Sequence, residues 1–189
     1  MSRSPKPTLS EAYLRHQARL HLDRYWPSAM QLRRVLMRRV DKIVRTQGGS
    51  SQEGAELVDR IVADLRDRGI LDDEQYARSW IEQLQRQGYS RMAMRSKLYQ
   101  RGISSDTVDR CLAQLDDQDG NLRLVAACRY ARRRRLGPAR RNSVQRSERR
   151  SRDLAAMQRA GFGFDLALQV IDCDDLDELE RCAGGDGDL

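Results

Sequence analysis

Arginine is the residue type best placed to do chemistry in this chain. Arg33, Arg34, Arg38 and Arg39 crowd one short stretch, and Arg132, Arg133, Arg134 and Arg135 are consecutive, with Arg140 and Arg141 close behind. The guanidinium fork pairs bidentately with phosphate or carboxylate, which a lysine ammonium cannot do. Four consecutive arginines fan around most of a helical turn, so they cannot all face one partner. Two readings stay open for the second block. It is a solvated helix end whose charge suits the C-terminal dipole, or it is a polyanion-binding surface. Arg146, Arg149, Arg150 and Arg152 extend the block beyond what a dipole needs. These arginines, from Arg33 to Arg141, are the candidate binding residues. Aromatic residues are not interleaved with them, so stacking of bases is not expected from the sequence.

Other chemistries find little support. Nucleophilic catalysis needs a base within reach, and the two histidines, His16 and His21, belong to no motif. Cys111, Cys128, Cys173 and Cys182 form no C-x-x-C pair. Cys111 and Cys128 fall on apolar helix faces, as buried reduced thiols of a cytoplasmic protein do. A zinc site is therefore not expected. Asp72 and Asp73 are adjacent carboxylates, but neighbours at a helix start point apart and read as caps rather than as an acid–base pair. Gln47–Gly54 lacks the lysine of a phosphate-cradling loop and reads as a linker. No catalytic residue, metal or cofactor is expected.

Composition adds the setting. The 189 residues are 33% charged and 5% aromatic, with formal net charge +7. That charge is divided: residues 1–60 are net +6, 61–116 neutral, 117–160 net +9 and 161–189 net −8. Two basic blocks suit nucleic acid or acidic protein surfaces. No run of about 18 apolar residues exists for a membrane span, and no signal-peptide core follows the basic N-terminus.

The elements that must position these side chains all read as helices. The organising stretch is Gly69-Ile70-Leu71-Asp72-Asp73-Glu74-Gln75-Tyr76-Ala77. Gly69 can close one helix in the left-handed region, and Asp72, with Gln75 three residues on, can cap the next. Tyr76, Ala77, Trp80, Ile81 and Leu84 then recur on one face. Before this junction, a helix from Thr8 carries Leu14, Ala18, Leu22 and Tyr25 until Pro27. Ser28 caps a second with Leu32, Leu36, Val40 and Ile43. A loop over 47–54 precedes a third with Leu57, Val58, Ile61, Val62 and Leu65. After the junction the pattern repeats. Gly88 ends one helix, Ser90 caps another, and Gly102-Ile103 closes it. Aligning Ser28 with Ser90 also aligns Met30 with Met92, Leu36 with Leu98 and Arg39 with Arg101. A looser third copy runs through Tyr130, Leu154 and Met157 to Gly161-Phe162, then Ala167, Val170 and Ile171.

The expected fold is all-α: an elongated, curved array of three tandem three-helix repeats. Its expected parts are a disordered 1–7, repeats over 8–71, 72–116 and 117–171, and an acidic, disordered tail over 172–189. Gly69, Leu71, Asp72, Asp73, Tyr76, Ala77, Trp80, Gly102, Gly161 and Phe162 are the expected junction residues.

The stretch Gly69–Ala77, with Gly102-Ile103 and Gly161-Phe162 at similar spacing, resembles the RecX regulatory proteins of bacteria. The resemblance covers roughly 8–171. It departs from the family in the 47–54 loop, the dense Arg132–Arg135 run and the acidic tail. It implies three helical repeats and a partner, the RecA recombinase filament on single-stranded DNA, whose strand exchange the protein restrains. It also implies direct binding of single- or double-stranded DNA as a possibility shared by several members. The expectation is a cytoplasmic monomer with no membrane partner. The alternative is a general nucleic-acid-binding helical protein without a recombinase partner.

Overall fold

In a computed structural model, residues 8–116, 120–142 and 144–184 are described, and among them only helices, turns and loops occur. The chain is all-helical, with tandem three-helix units. Residues 1–7 and 185–189 lie outside the described residues.

Three helices open the chain. Ser10 caps α1 (Glu11–Leu22), accepting the Tyr13 amide at 3.3 Å, so the helix starts later than the expected Thr8. That start places Leu14 and Ala18 in the core. The helix also stops at Leu22, and Tyr25 is 61% exposed rather than part of the stripe. Pro27 disfavours a helical residue before it, so the apolar periodicity does not extend across the corner. Ser28 and Gln31 form a reciprocal capping box at the start of α2 (Ala29–Gln47). Leu32, Leu36, Val40 and Ile43 are buried as expected.

The expected loop over 47–54 is largely helix. Ser50 accepts the Glu53 amide at 3.2 Å, and α3 (Ser51–Asp67) begins there. Gly54 suggested a linker, but it lies within α3 and packs on α2. A Cβ at Gly54 would stand 2.3 Å from Val40 Cγ1, so glycine permits the helices to approach this closely.

The Gly69 closure and the Asp72 cap form as the sequence implies, but Gln75 takes part through its amide and not as a reciprocal capping-box partner. Gly69 has φ +67°, and Ile70 donates to the Leu65 carbonyl while Gly69 donates to Arg66, both at 2.9 Å. This is the double closure of a Schellman motif. Asp72 Oδ1 accepts the amides of Glu74 and Gln75, both at 2.9 Å, opening α4 (Asp73–Arg86). Asp73 does something else: its Oδ1 accepts the Ala29 amide at 2.9 Å and so caps α2. Leu71, Tyr76 and Ala77 are buried, whereas Trp80 is half-buried.

The remaining helices are α5 (Arg91–Gln100), α6 (Ser105–Asp116), α7 (Gly120–Arg134), α8 (Val144–Arg159), α9 (Phe164–Asp172) and α10 (Leu176–Gly184), with a 3₁₀ turn at Gly137–Ala139. The described chain forms two compact units. One holds residues up to Tyr76 with Gln100–Ser104; the other holds Ala77–Tyr99 and the chain from Ser105 onward.

Within each unit the same fastening recurs. In the first, Ser28 Oγ donates to the Arg101 carbonyl at 2.7 Å, and Gly102 lies against Met30. In the second, Ser90 Oγ donates to the Ala160 carbonyl, and Gly161 lies against Ser90 and Met92. The matched serines and methionines of the sequence are therefore matched in contact as well. A buried cap serine accepts from its own helix and donates to a helix end arriving from later in the chain. That end needs a left-handed glycine, φ +80° at Gly102 and +89° at Gly161.

The expected disorder over 172–189 is corrected for 176–184. Leu176 and Ala183 are buried and Leu179 is partly so, a helical stripe that completes the apolar cluster of Ala127, Cys128, Ala131, Met157 and Ile171. The tail's acidic composition hid this short apolar face.

Candidate partner-binding surface

One helix, α2, carries the candidate arginines of the first unit. On α2, Arg33 closes a bidentate pair with Asp59 of α3, Nε to Oδ1 at 2.6 Å and Nη2 to Oδ2 at 3.2 Å. It ties two helices together. Arg34 is exposed and reaches the Gln100 carbonyl at 3.3 Å, a weak contact at the closing turn of α5. Arg38 and Arg39 are exposed and make no ion pair among the described residues. Arg38 leaves an electrostatic trace on its neighbour His21, whose pKa is lowered by burial first and by the Arg38 charge second. Three charges of this row thus face solvent.

The second arginine block is differently placed. Arg132 pairs with Glu180, Nη1 to Oε2 at 2.7 Å, and with Asp177; Arg129 Nε also reaches Glu180 Oε1 at 2.7 Å. Burial raises the Glu180 carboxyl, but hydrogen bonds from Arg132 and Arg129 outweigh it and hold the group below its usual range. Arg133 donates to the Gln87 carbonyl and lies over the rings of Tyr89 (4.8 Å) and Tyr130 (5.5 Å). Arg135 takes φ +54° and closes α7, with Leu136 donating to Ala131 at 2.9 Å, the role glycine has at the other junctions. Arg140 is held by Asp153, a carboxylate only 2% exposed, with Nε to Oδ2 at 2.7 Å. The same oxygen accepts the Gly137 amide at 2.9 Å, fixing the 3₁₀ turn. Arg146 caps carbonyls at the end of α9 and Arg150 pairs with Asp172. Arg134 and Arg141 remain exposed without ion pairs among the described residues.

The structure thus separates the candidates. Arg34, Arg38, Arg39, Arg134 and Arg141 present charge outward, whereas Arg33, Arg132, Arg133 and Arg140 are committed to the protein's own groups. The junction residues Gly69, Leu71, Asp72, Asp73, Tyr76, Ala77, Gly102, Gly161 and Phe162 are architectural. Cys128 is buried, and burial first, then the nearby Cys173 and Glu180, pushes its pKa up to about 12; such a thiol is inert. Among the described residues no three His, Cys, Asp or Glu side chains converge on a metal position, and no helix is long and apolar enough to cross a membrane.

The sequence reading missed one arrangement. It found no aromatic residues among the charges, yet the α1–α2 corner leaves Tyr25 and Trp26 exposed and sets Tyr25 in one cleft with Arg24 and Arg39. Arg24 adjoins Tyr25 in the sequence, whereas Arg39 lies beyond Pro27 on α2 and is brought to Tyr25 only by the fold.

Comparison with known proteins gives a consistent result. Residues 72–112 match the family described as "RecX, second three-helix domain". A "Regulatory protein RecX" of Agrobacterium fabrum (strain C58 / ATCC 33970) is 33% identical over 53% of this chain and 51% of its own. Another, of Mycobacterium avium (strain 104), is 27% identical over 94% and 95% respectively. No solved structure matches. The protein of the same name in Myxococcus xanthus (strain DK1622) is 38% identical over 87% of each chain, and on that extent of likeness this chain belongs to the RecX family of regulatory proteins.

Proposed function

We propose that the chain acts by binding rather than catalysis, and that its target is the RecA recombinase filament on single-stranded DNA. Its cationic face spans neighbouring filament protomers and occupies the groove that an incoming duplex would enter, which slows strand exchange and filament growth. It does this in the cytoplasm as a monomer, within DNA repair and the SOS response. Family membership supports the choice of partner. The observation that carries the reading is the exposed row of Arg34, Arg38 and Arg39, set on a helix whose buried side is anchored by Leu32, Leu36 and Val40. A rigid helix holds these charges, and they lack carboxylates to satisfy them among the described residues. A filament offers them both phosphate and carboxylate.

The test is co-sedimentation with preformed RecA filaments, with naked single-stranded DNA as the control. Binding to filaments well above that to naked DNA, together with slowed strand exchange, is the expected result. Equal binding to both would replace this reading by that of a general nucleic-acid-binding protein.

A further inference from the structure

Large aromatic side chains are scarce here, ten in the whole chain, and two consecutive ones stand in solvent. Tyr25 is 61% and Trp26 is 55% exposed. Their backbone is nonetheless held on both sides. The Tyr25 amide donates to the His21 carbonyl at 3.0 Å, and two residues beyond Trp26 the buried Ser28 is fixed by Gln31 and Arg101. Pro27 between them is buried and has a fixed φ. The corner therefore presents its rings from a constrained backbone.

The surroundings of Tyr25 are cationic and concave. A cleft of about 240 Å³ is lined by Leu20, His21, Arg24, Tyr25, Val35 and Arg39. The ring of Tyr25 meets His21 at 4.9 Å between centroids, tilted by 36°. No carboxylate lines this cleft. The contrast with other tyrosines is instructive. Tyr89 has Lys97 at 4.6 Å and Arg133 at 4.8 Å over its ring, so internal cations already occupy that π-face. No cation lies over Tyr25 among the described contacts.

We infer that the α1–α2 corner is a stacking site for unpaired bases of single-stranded nucleic acid, with Tyr25 and Trp26 as platforms and Arg24 and Arg39 holding the adjoining phosphates. The combination of open aromatic faces and flanking guanidinium groups suits a polyanion with π-faces. It suits an acidic protein segment less well, because such a segment gains nothing from two exposed rings. Duplex DNA keeps its bases stacked and cannot use them. The inference rests on the nucleic-acid part of the function proposed above and not on the recombinase.

The experiment uses the full chain and oligothymidylate without recombinase. Stacking on Trp26 should quench tryptophan fluorescence on binding. Tyr25→Ala and Trp26→Ala should each weaken binding to oligothymidylate by about tenfold while leaving its salt slope at the parent value, because phosphate contacts persist. Tyr25→Phe should bind like the parent. Both side chains are exposed, so the melting temperature should not move. Parental affinity in both alanine variants would overturn the inference. So would equal losses on duplex and single strand. Loss of binding to RecA filaments with naked-strand affinity intact would make the corner a protein-docking surface, which overturns the stacking site while leaving the filament reading standing. Weakened naked-strand binding with filament binding absent in the parent would do the reverse.

Discussion

The two arginine clusters differ in where their counter-charges lie. On α2, among the described residues, only Arg33 of the four candidates has a carboxylate partner, Asp59, and Arg34, Arg38 and Arg39 are exposed. On α7, α8 and the link between them the density is higher, but Glu180, Asp177, Asp153 and Asp172 from the protein itself engage Arg129, Arg132, Arg140 and Arg150. The denser block therefore commits the larger share of its guanidinium groups to the protein itself, while Arg134 and Arg141 stay exposed. A charge run in sequence reports how much charge a segment carries. Which part can meet a partner depends on where the acidic residues fold, and here the acidic C-terminal segment returns to the basic segment it follows.

The largest test of that difference is Asp153→Ala. The carboxylate is 2% exposed and Arg140 only 18%. Removing one partner of a buried pair leaves the other uncompensated, at about 3–5 kcal/mol. The Gly137 amide loses its acceptor too. A matching drop in stability by denaturant titration is expected. A loss no larger than that of an exposed pair would show Arg140 to be a surface cation after all, and the comparison would fail at its firmest point.

Next in size is the split in salt dependence. Replacing Arg34, Arg38 and Arg39 together by Ser should reduce the slope of log affinity against log salt for single-stranded DNA by roughly 2, at about 0.7 per lost contact. Replacing Arg132 and Arg133 by Ser should change it by less than about half as much, since those groups are already held by Glu180, Asp177 and the Gln87 carbonyl. Anisotropy titrations across a salt series would measure both. Equal changes would mean that the partner displaces the internal contacts, and that availability in the free protein is no guide.

Much of the fold was legible because it is local. Caps, stripes and closing glycines act within a turn of themselves, so Asp72, Ser28 and Gly69 could be read from neighbours. Gly54 could not: it looks like a linker glycine, and only its approach to Val40 explains it. Thr8 and Ser10 are equally good caps by composition, and burial of Leu14 and Ala18 decides between them. The site was less legible for the same reason. Pairing of Arg140 with Asp153, and of Arg132 with Glu180, is set by tertiary placement. Asp73 shows the limit most simply: it reads as a cap for its own helix and in fact caps α2.

The smallest expected effect concerns the contact that quiets the second block. Glu180 is 19% exposed and bridges Arg129 and Arg132; Asp177 is 77% exposed and adds a weaker, screened contribution. Arg129 and Arg132 are 39% and 43% exposed, so solvent screens these pairs to about 0–1 kcal/mol each, and Glu180→Gln should free the two guanidinium groups at modest cost. Affinity for single-stranded DNA should rise by about two- to fivefold at low salt, the same energy expressed as a ratio. The gain should fade as salt rises, because the released charges are then screened. Substitution is a cleaner probe than truncation, since removing α10 would also strip Leu176 and Ala183 from the core. The pH dependence follows from the direction of the shift. The Glu180 carboxyl lies below the ordinary value of 4.5, so its stabilising contribution is complete above that value and is lost as pH falls through the lower folded one. Glu180→Gln should therefore flatten the acid limb of the stability profile and leave the neutral region nearly unchanged. An unchanged acid limb would mean that Arg129 and Arg132 do not depend on this carboxylate. Unaltered DNA binding across the salt series would mean that freeing them adds nothing, and that Arg129 and Arg132 are silent for reasons other than this acid.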